Sequence, residues 1–381
     1  MGHLMTVLEK KRYLVAPPFS NGVETFICPI AKSKYELSDG LKIAGGWRFF
    51  NELRVLQKKD DIYSEVVMST KNLLRLSKYD GKQTLLKAEQ VIDSITKNRL
   101  SFSSLDMSKT HIMGVINTTP DSFYKKSQLT NSELIIKKTV KMISDGASII
   151  DIGGESTRPG AKKISVNQEI DRVLPTIINF KNNDLRVKVS LDTRNLPTMK
   201  LGYENGVAII NDISGFTDNN KIKFVSKLKV PVIVMHMQKE PQNMQIKPKY
   251  SFAPVDIYKI LLKKVNQLIQ MGIDKSNIVV DPGIGFGKNI HHNLSILRNL
   301  TLFHSIGVPI LIGVSRKSII SEVTMKGYQL EGINKKSISP TKRLSGSLAF
   351  AMHSYNNGIQ LIRTHDVFET KQAIICQEAM N

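Results

Sequence analysis

The sequence predicts an α/β chain whose larger part is a (β/α)8 TIM barrel, preceded by a small N-terminal domain or extension. From residue 111 onward, eight short, β-branched, nearly continuous apolar runs recur, the habit of strands buried on both faces in a parallel sheet. Between them lie longer stretches whose apolar residues repeat at helical spacing and which close on Gly, as helices do. Eight such units in the remaining 271 residues match the count of a barrel.

Residues 1–100 stand outside this rhythm, and their periodicity is weak. They hold a hairpin-like region around Ser20-Asn21-Gly22, a Gly45-Gly46-Trp47 segment with the sole tryptophan, and a helix near Lys82 to Lys97. The strands of the second part, residues 101–381, are expected at 111–117, 147–154, 187–193, 207–213, 230–236, 277–283, 308–314 and 359–366. Helical stretches include 132–146, 255–272 and 293–307. A doubly wound open sheet would not require eight units, and the Gly-rich first turn it usually carries is missing.

The chain has 54 Lys and Arg against 33 Asp and Glu, a net charge of +21. The excess is spread by length: 17 against 11 in residues 1–100, and 37 against 22 thereafter. There is no basic arm and no helix-turn-helix or RNP motif, so the charge reads as a Lys-rich surface and no nucleic-acid partner is expected. No apolar run is long enough to span a bilayer, and no signal core is present. A cytoplasmic address without membrane contact is therefore expected. Cys28 and Cys376 lack metal-ligand spacing and are expected to be buried.

In such a barrel the active site forms where strands run into the βα loops. Polar residues fall at those ends repeatedly: Asn117, Asp192, Asn211, Asp212, His236, Asp281, Ser315-Arg316-Lys317, Arg363 and His365. Any one of them would serve as a turn former or helix cap; together they point to one rim. Asp192, Asn211 and Asp281 suit the ring N–H and exocyclic amine groups of an amino-pyrimidinone edge. Arg158, Lys317 and Arg363, with His365, suit a multiply charged anion. Asn117 and nearby carbonyls suit Mg2+, which shares its ligands with substrate phosphates. DPGIGFGK (281–288) lacks a Walker ending, so a nucleoside triphosphatase is excluded.

The segments MGVINTTPDSF (113–123), IDIGGESTRPGA (150–161), SLDT (190–193), INDISG (210–215), MHMQKEPQNMQIKPKY (235–250), DPGIGFGK (281–288), GVSRKS (313–318), GSLAFA (346–351) and RTHDVFET (363–370) together resemble the dihydropteroate synthase family. The resemblance implies condensation of p-aminobenzoate with 6-hydroxymethyl-7,8-dihydropterin diphosphate, giving 7,8-dihydropteroate and pyrophosphate, with Mg2+ as cofactor. It implies that Asp192, Asn211, Asp281 and Lys317 bind the pterin, with Ile213 and Met235 on its ring faces. Asn117 would contact metal and diphosphate, and Arg363 and His365 would grip the diphosphate. Thr157, Arg158, Pro159, Phe286 and Ser318 would shape the p-aminobenzoate pocket, and sulfonamides would be inhibitors. Asp192, Lys317 and Arg158 are the expected catalytic groups, and a homodimer is the expected assembly.

No candidate nucleophile is present, which suits a dissociative, SN1-like route in which Asp192 stabilises a pterin methylene cation. The chain departs from the family at YKKSQ (124–128), which lacks Gly, and at Thr364, which stands where Val is usual. The alternatives are another pterin-binding barrel, such as a methyltetrahydrofolate methyltransferase, or an inactive pterin-binding scaffold. The first has no need of the STRPGA loop or of Arg363 with His365, and the intact polar set argues against the second.

Overall fold

The structure, a computed structural model, describes residues 13–37, 40–60, 62–118, 128–158, 160–333 and 335–380. Its N-terminal part is an antiparallel sheet of β1 (Glu24–Pro29), β4 (Glu52–Lys59) and β5 (Ile62–Ser69) in the order β1-β4-β5, beside the short pair β2 (Leu41–Lys42) and β3 (Phe49–Phe50). Two helices follow, α1 (Thr70–Asp80) and α2 (Lys82–Thr96). Ser69 caps α1 by accepting from the Asn72 amide, and Gly81, at φ 126°, separates the helices. The helix near Lys82 is where the sequence places it.

The Ser20-Asn21-Gly22 region is a turn rather than a hairpin. Val23 N bonds Ser20 O at 3.3 Å, and the strand that follows pairs with β4, about 30 residues further on. The true hairpin is β4–β5. Its periodicity is obscured because a polar residue inside β4, Gln57, is fully buried and satisfied from afar: its amide donates to Ala16 O at 2.9 Å and accepts from Val15 N at 3.0 Å.

This N-terminal layer is docked on the flank of the second part. Phe26, Cys28 and Leu56 share a core cluster with Val255 and Leu302. Buried Arg99 donates to His304 O at 2.9 Å, and Ser305 donates to Ile27 O at 3.2 Å. Trp47 stacks on Tyr355 with ring centroids 5.3 Å apart and donates Nε1–H to Tyr355 O at 3.2 Å. Replacing Trp47 by Ala is expected to cost about 2–3 kcal/mol, below the fully buried case because the ring is only half-buried. Chemical denaturation measures that loss, and in the native protein this lone tryptophan's emission reports whether the layer is docked.

The second part is an eight-stranded parallel barrel. Its strands are β6 (His111–Asn117), β7 (Ala147–Gly153), β8 (Lys188–Asp192), β9 (Ile209–Asp212), β10 (Val232–Met235), β11 (Ile278–Asp281), β12 (Leu311–Gly313) and β13 (Leu361–Thr364). They pair in the order β11-β10-β9-β8-β7-β6-β13-β12. A bridge between Val280 and Ile310, with Val280 N bonding Pro309 O at 3.0 Å, brings the ends together. Each apolar run expected to be a strand contains one.

The helices are α3 (Gln128–Ser144), α4 (Val166–Asn182), α5 (Leu196–Glu204), α6 (Asn219–Lys227), α7 (Ala253–Gln270), α8 (Ile290–Arg298), α9 (Ser318–Leu330), α10 (Leu344–Asn356) and α11 (Val367–Ala379). The helix expected over 293–307 is α8 followed by 3-10 turns over Leu300–Ile306. Asn299 interrupts it, donating its side-chain amide back to Ser295 O at 2.7 Å. Cys28 is buried as expected, whereas Cys376 is exposed on α11. Among the described residues no helix is long and apolar enough to cross a membrane.

Candidate functional site

Side chains along a strand alternate between its two faces, so one apolar layer fixes which residues point into the barrel. That layer is Met113, Ile149, Ile209, Ile233, Val279, Leu311 and Leu361, closed from below by Phe102 and Met107. An even number of steps further along the same strands stand Asn117, Asp151, Asn211, Met235, Asp281 and Arg363. Ser190 and Asp192 on β8 join them, since Ser190 lies in register with Asp151 and donates to it at 2.7 Å. An apolar floor therefore carries a polar layer at the strands' C-terminal ends.

At its centre is the guanidinium of Arg363. Nε donates to Asp151 Oδ2 at 2.6 Å and Nη2 to Asp192 Oδ2 at 3.1 Å, while Asn211 Nδ2 reaches the same Asp151 oxygen at 3.3 Å. Asp151, fully buried, was not among the expected site residues. The signal was present in the sequence: a carboxylate inside the apolar run ASIIDIGG, at inward parity. Arg363, expected on a diphosphate, is thus also the counter-ion of two carboxylates. Its Nη1 has no partner among the described residues.

Burial, followed by the charge of Asp151, pushes the Asp192 carboxyl up to about 8 against the pull of Arg363. The native site then keeps a proton that an unfolded chain releases near pH 4. Stability from this group therefore falls as pH rises from about 4 to about 8. Asp192→Asn is expected to flatten that fall, which melting curves at about pH 5 and about pH 8 compare directly.

Asp281 accepts from Gly283 N at 2.7 Å, and burial raises its pKa against the pull of Lys317. Lys317 donates to Ile284 O and sits 4.4 Å from the ring centroid of Phe286, a cation–π contact. Burial lowers its pKa to about 8. The loop from 281 to 288 is shaped by backbone proximity: a Cβ at Gly283 (φ +69°) would lie 2.1 Å from His236 O, and one at Gly287 (φ +59°) 2.6 Å from Gln238 O.

The segment 315–317 divides its side chains between neighbours. Ser315 Oγ bonds His365 N and Nδ1, both at 3.2 Å, and Arg316 pairs with Asp366. Arg316 is left-handed at φ 60°, held by Ser347 Oγ on its amide at 3.0 Å and by Arg343 on its carbonyl at 2.9 Å. Burial and then Arg363 drive the His365 pKa down to about 3. His365 is therefore a neutral hydrogen-bonding group, not a member of the cationic set.

Two strand-end residues grouped with this rim belong elsewhere. Asp212 and His236 have outward parity. Asp212 accepts from Ser214 N (2.8 Å), Ser214 Oγ (2.6 Å), Phe216 N (3.1 Å) and Lys221 Nζ (3.2 Å), which fixes the turn after β9. His236 faces buried Lys288 at 3.0 Å, and burial takes its pKa to about 2. Asp212 is the turn-forming alternative realised, while His236 is a buried partner of Lys288.

Ile213 and Met235 are buried beside Asn211 and Asp281. Asn117, at the end of β6, pairs in register with Gly153. Thr157 and Phe286 are half-buried, and Arg158 and Ser318 are exposed. No hydrogen bond or ion pair joins Arg158 to the rim among the described residues. Pro159 and the stretch from Thr119 to Ser127, with most of the Gly-free segment, lie outside them. Thr364 does more than fill the place of Val: its hydroxyl accepts from Asp366 N at 3.1 Å and meets Thr370 Oγ1 at 3.2 Å.

The family model described as pterin binding enzyme matches residues 113–365. The dihydropteroate synthase of Escherichia coli K12 is 39% identical over 279 residues, 73% of this chain and 94% of that protein. The chain belongs to the dihydropteroate synthase family. Haemophilus influenzae dihydropteroate synthase is 37% identical, covering 71% of this chain and 94% of its own length. Yersinia pestis dihydropteroate synthase in a sulfonamide drug complex superposes with a TM-score of 0.65 at 36% identity, over 72% of this chain and 96% of that one. The Xanthomonas albilineans synthase with 7,8-dihydropteroate does so at 0.62 and 30%, over 72% and 95%. As a dihydropteroate synthase the protein is a transferase of alkyl groups, and the matched share is its barrel.

Proposed function

We propose that the barrel joins p-aminobenzoate to 6-hydroxymethyl-7,8-dihydropterin diphosphate with Mg2+, by loss of pyrophosphate before attack of the amine. The observation that carries this is the Arg363 guanidinium held between Asp151 and Asp192. It sets an anion stabiliser and a cation stabiliser side by side in one buried layer. Asp281 and Asn211 present acceptors and a donor to the pterin edge, and Ile213 and Met235 supply apolar faces. Heterolysis of the methylene C–O bond gives both electrons to pyrophosphate. Arg363 and the neutral His365 hold that leaving anion, while Asp192, once it has released the proton it keeps below about pH 8, stabilises the methylene cation. The p-aminobenzoate nitrogen then donates its lone pair to the methylene carbon and releases a proton.

Among the described residues no group of three His, Cys, Asp or Glu side chains is placed to hold a metal. For Mg2+, Asn117 would be a protein ligand and the diphosphate would supply the rest. When bound, the metal would neutralise charge on the leaving pyrophosphate. Residues 1–100 form an extension of a synthase barrel over 101–381 in this reading, a homodimer is the assembly it favours, and sulfonamides compete with p-aminobenzoate. Purified protein with both substrates is expected to form dihydropteroate and pyrophosphate in equal amounts with Mg2+, and far less with EDTA. Product formation indifferent to EDTA would remove the metal from the scheme, and no product would remove the reaction.

A further inference from the structure

Outside the polar layer, one ion cluster around a buried arginine has no part in the scheme above. Arg194 follows Asp192 by two residues, is 8% exposed, and carries two carboxylates from two other loops. Its Nε and Nη2 donate to Glu155 Oε2 and Oε1, both at 2.9 Å, a bidentate fork. Its Nη1 donates to Glu240. Glu155 lies in the loop after β7 and Glu240 in the loop after β10, so one guanidinium spans the loops of three strands. A backbone bond from Gly160 N to Pro241 O, at 3.3 Å, ties the same two outer loops a few residues along.

We infer that Arg194 is a positioning residue for p-aminobenzoate: through Glu155 and Glu240 it fixes the loop that carries Thr157 and Arg158. This rests on the dihydropteroate synthase reading. Glu155 is nearly buried while Glu240 is exposed, so the fork to Glu155 is the anchor and Glu240 the outer brace. Arg194 itself is spent on these pairs, which leaves exposed Arg158, next to Thr157 in the same loop, as the group a benzoate would meet. The pterin layer is held separately, by Arg363 with Asp151 and Asp192. Loosening the clamp should therefore touch one substrate and spare the other.

The test is steady-state kinetics of Arg194→Gln, Arg194→Lys and Glu240→Gln beside the wild-type protein, varying each substrate in turn. Arg194→Gln is expected to raise KM for p-aminobenzoate by about tenfold or more while KM for the pterin diphosphate moves less than about twofold. Arg194→Lys keeps the charge without the fork and is expected to recover part of that loss. Glu240→Gln, at an exposed side chain that leaves folding intact, is expected to give a smaller rise in the same KM. Unchanged KM for p-aminobenzoate in Glu240→Gln and Arg194→Lys, or equal rises for both substrates, would overturn the inference. Wild-type protein that makes no dihydropteroate would overturn the reading beneath it, and a turning-over wild type with unaltered variants would overturn the clamp alone.

Discussion

Asp192→Asn is expected to lower turnover by about 100- to 1,000-fold while weakening pterin diphosphate binding less than about tenfold. The asparagine keeps shape and hydrogen bonds to the pterin edge but cannot oppose a positive charge. The charge on the methylene exists only as the C–O bond breaks, so the loss belongs to the transition state and not to the bound substrate. Asp192 is suited to this because it is nearly buried, at 11% side-chain exposure, where the field of its ionised form is little screened, and that form gains population as pH rises toward about 8. Single-turnover rates beside calorimetric binding separate the two quantities. Equal losses in both would count against the role assigned to it.

Arg363→Met is expected to cost about 3–5 kcal/mol of stability as well as activity, because it strands two carboxylates in one buried layer. Asp151 and Asp192 both pair with the lost guanidinium, at 2.6 and 3.1 Å. The pair Arg363→Met with Asp192→Asn removes one of the stranded charges and is expected to recover part of that stability without recovering turnover. Denaturant unfolding of the three variants reads the coupling directly. A single variant as stable as the wild type would mean that the carboxylates are satisfied without Arg363.

The barrel was legible because its strands are buried on both faces and so read as continuous apolar runs. The site was legible because charged or amide residues break those runs at inward parity: Asn117, Asp192, Asn211, Asp281 and Arg363 all share the face of Met113 and Ile149. Parity also separates what strand-end position alone does not. Asp212 and His236 end strands too, yet face outward and serve the turn and Lys288. Strand-end position does not mark Asp151, because it lies inside β7, below the rim.

Less was legible where tertiary contacts replace local pattern. The β4–β5 hairpin hides behind buried Gln57, and α1 buries only Leu73 and Ser77, too few to mark a periodic face. The cluster at Arg194 reaches Glu155 and Glu240, 39 and 46 positions away in sequence, and no local signal links them. The neutrality of His365 follows from burial and from Arg363, neither of which a sequence displays.

The order of bond breaking and bond making is the centre of this account, and an isotope effect at the reacting carbon reads it. The pterin diphosphate deuterated at its exocyclic methylene, compared with the unlabelled compound in single turnover, reports the rehybridisation of that carbon. A distinctly normal secondary effect is expected, because departure of pyrophosphate leaves a planar cation before the amine arrives. An effect at or below unity would mean that the amine attacks as pyrophosphate leaves, and would contradict the part given to Asp192.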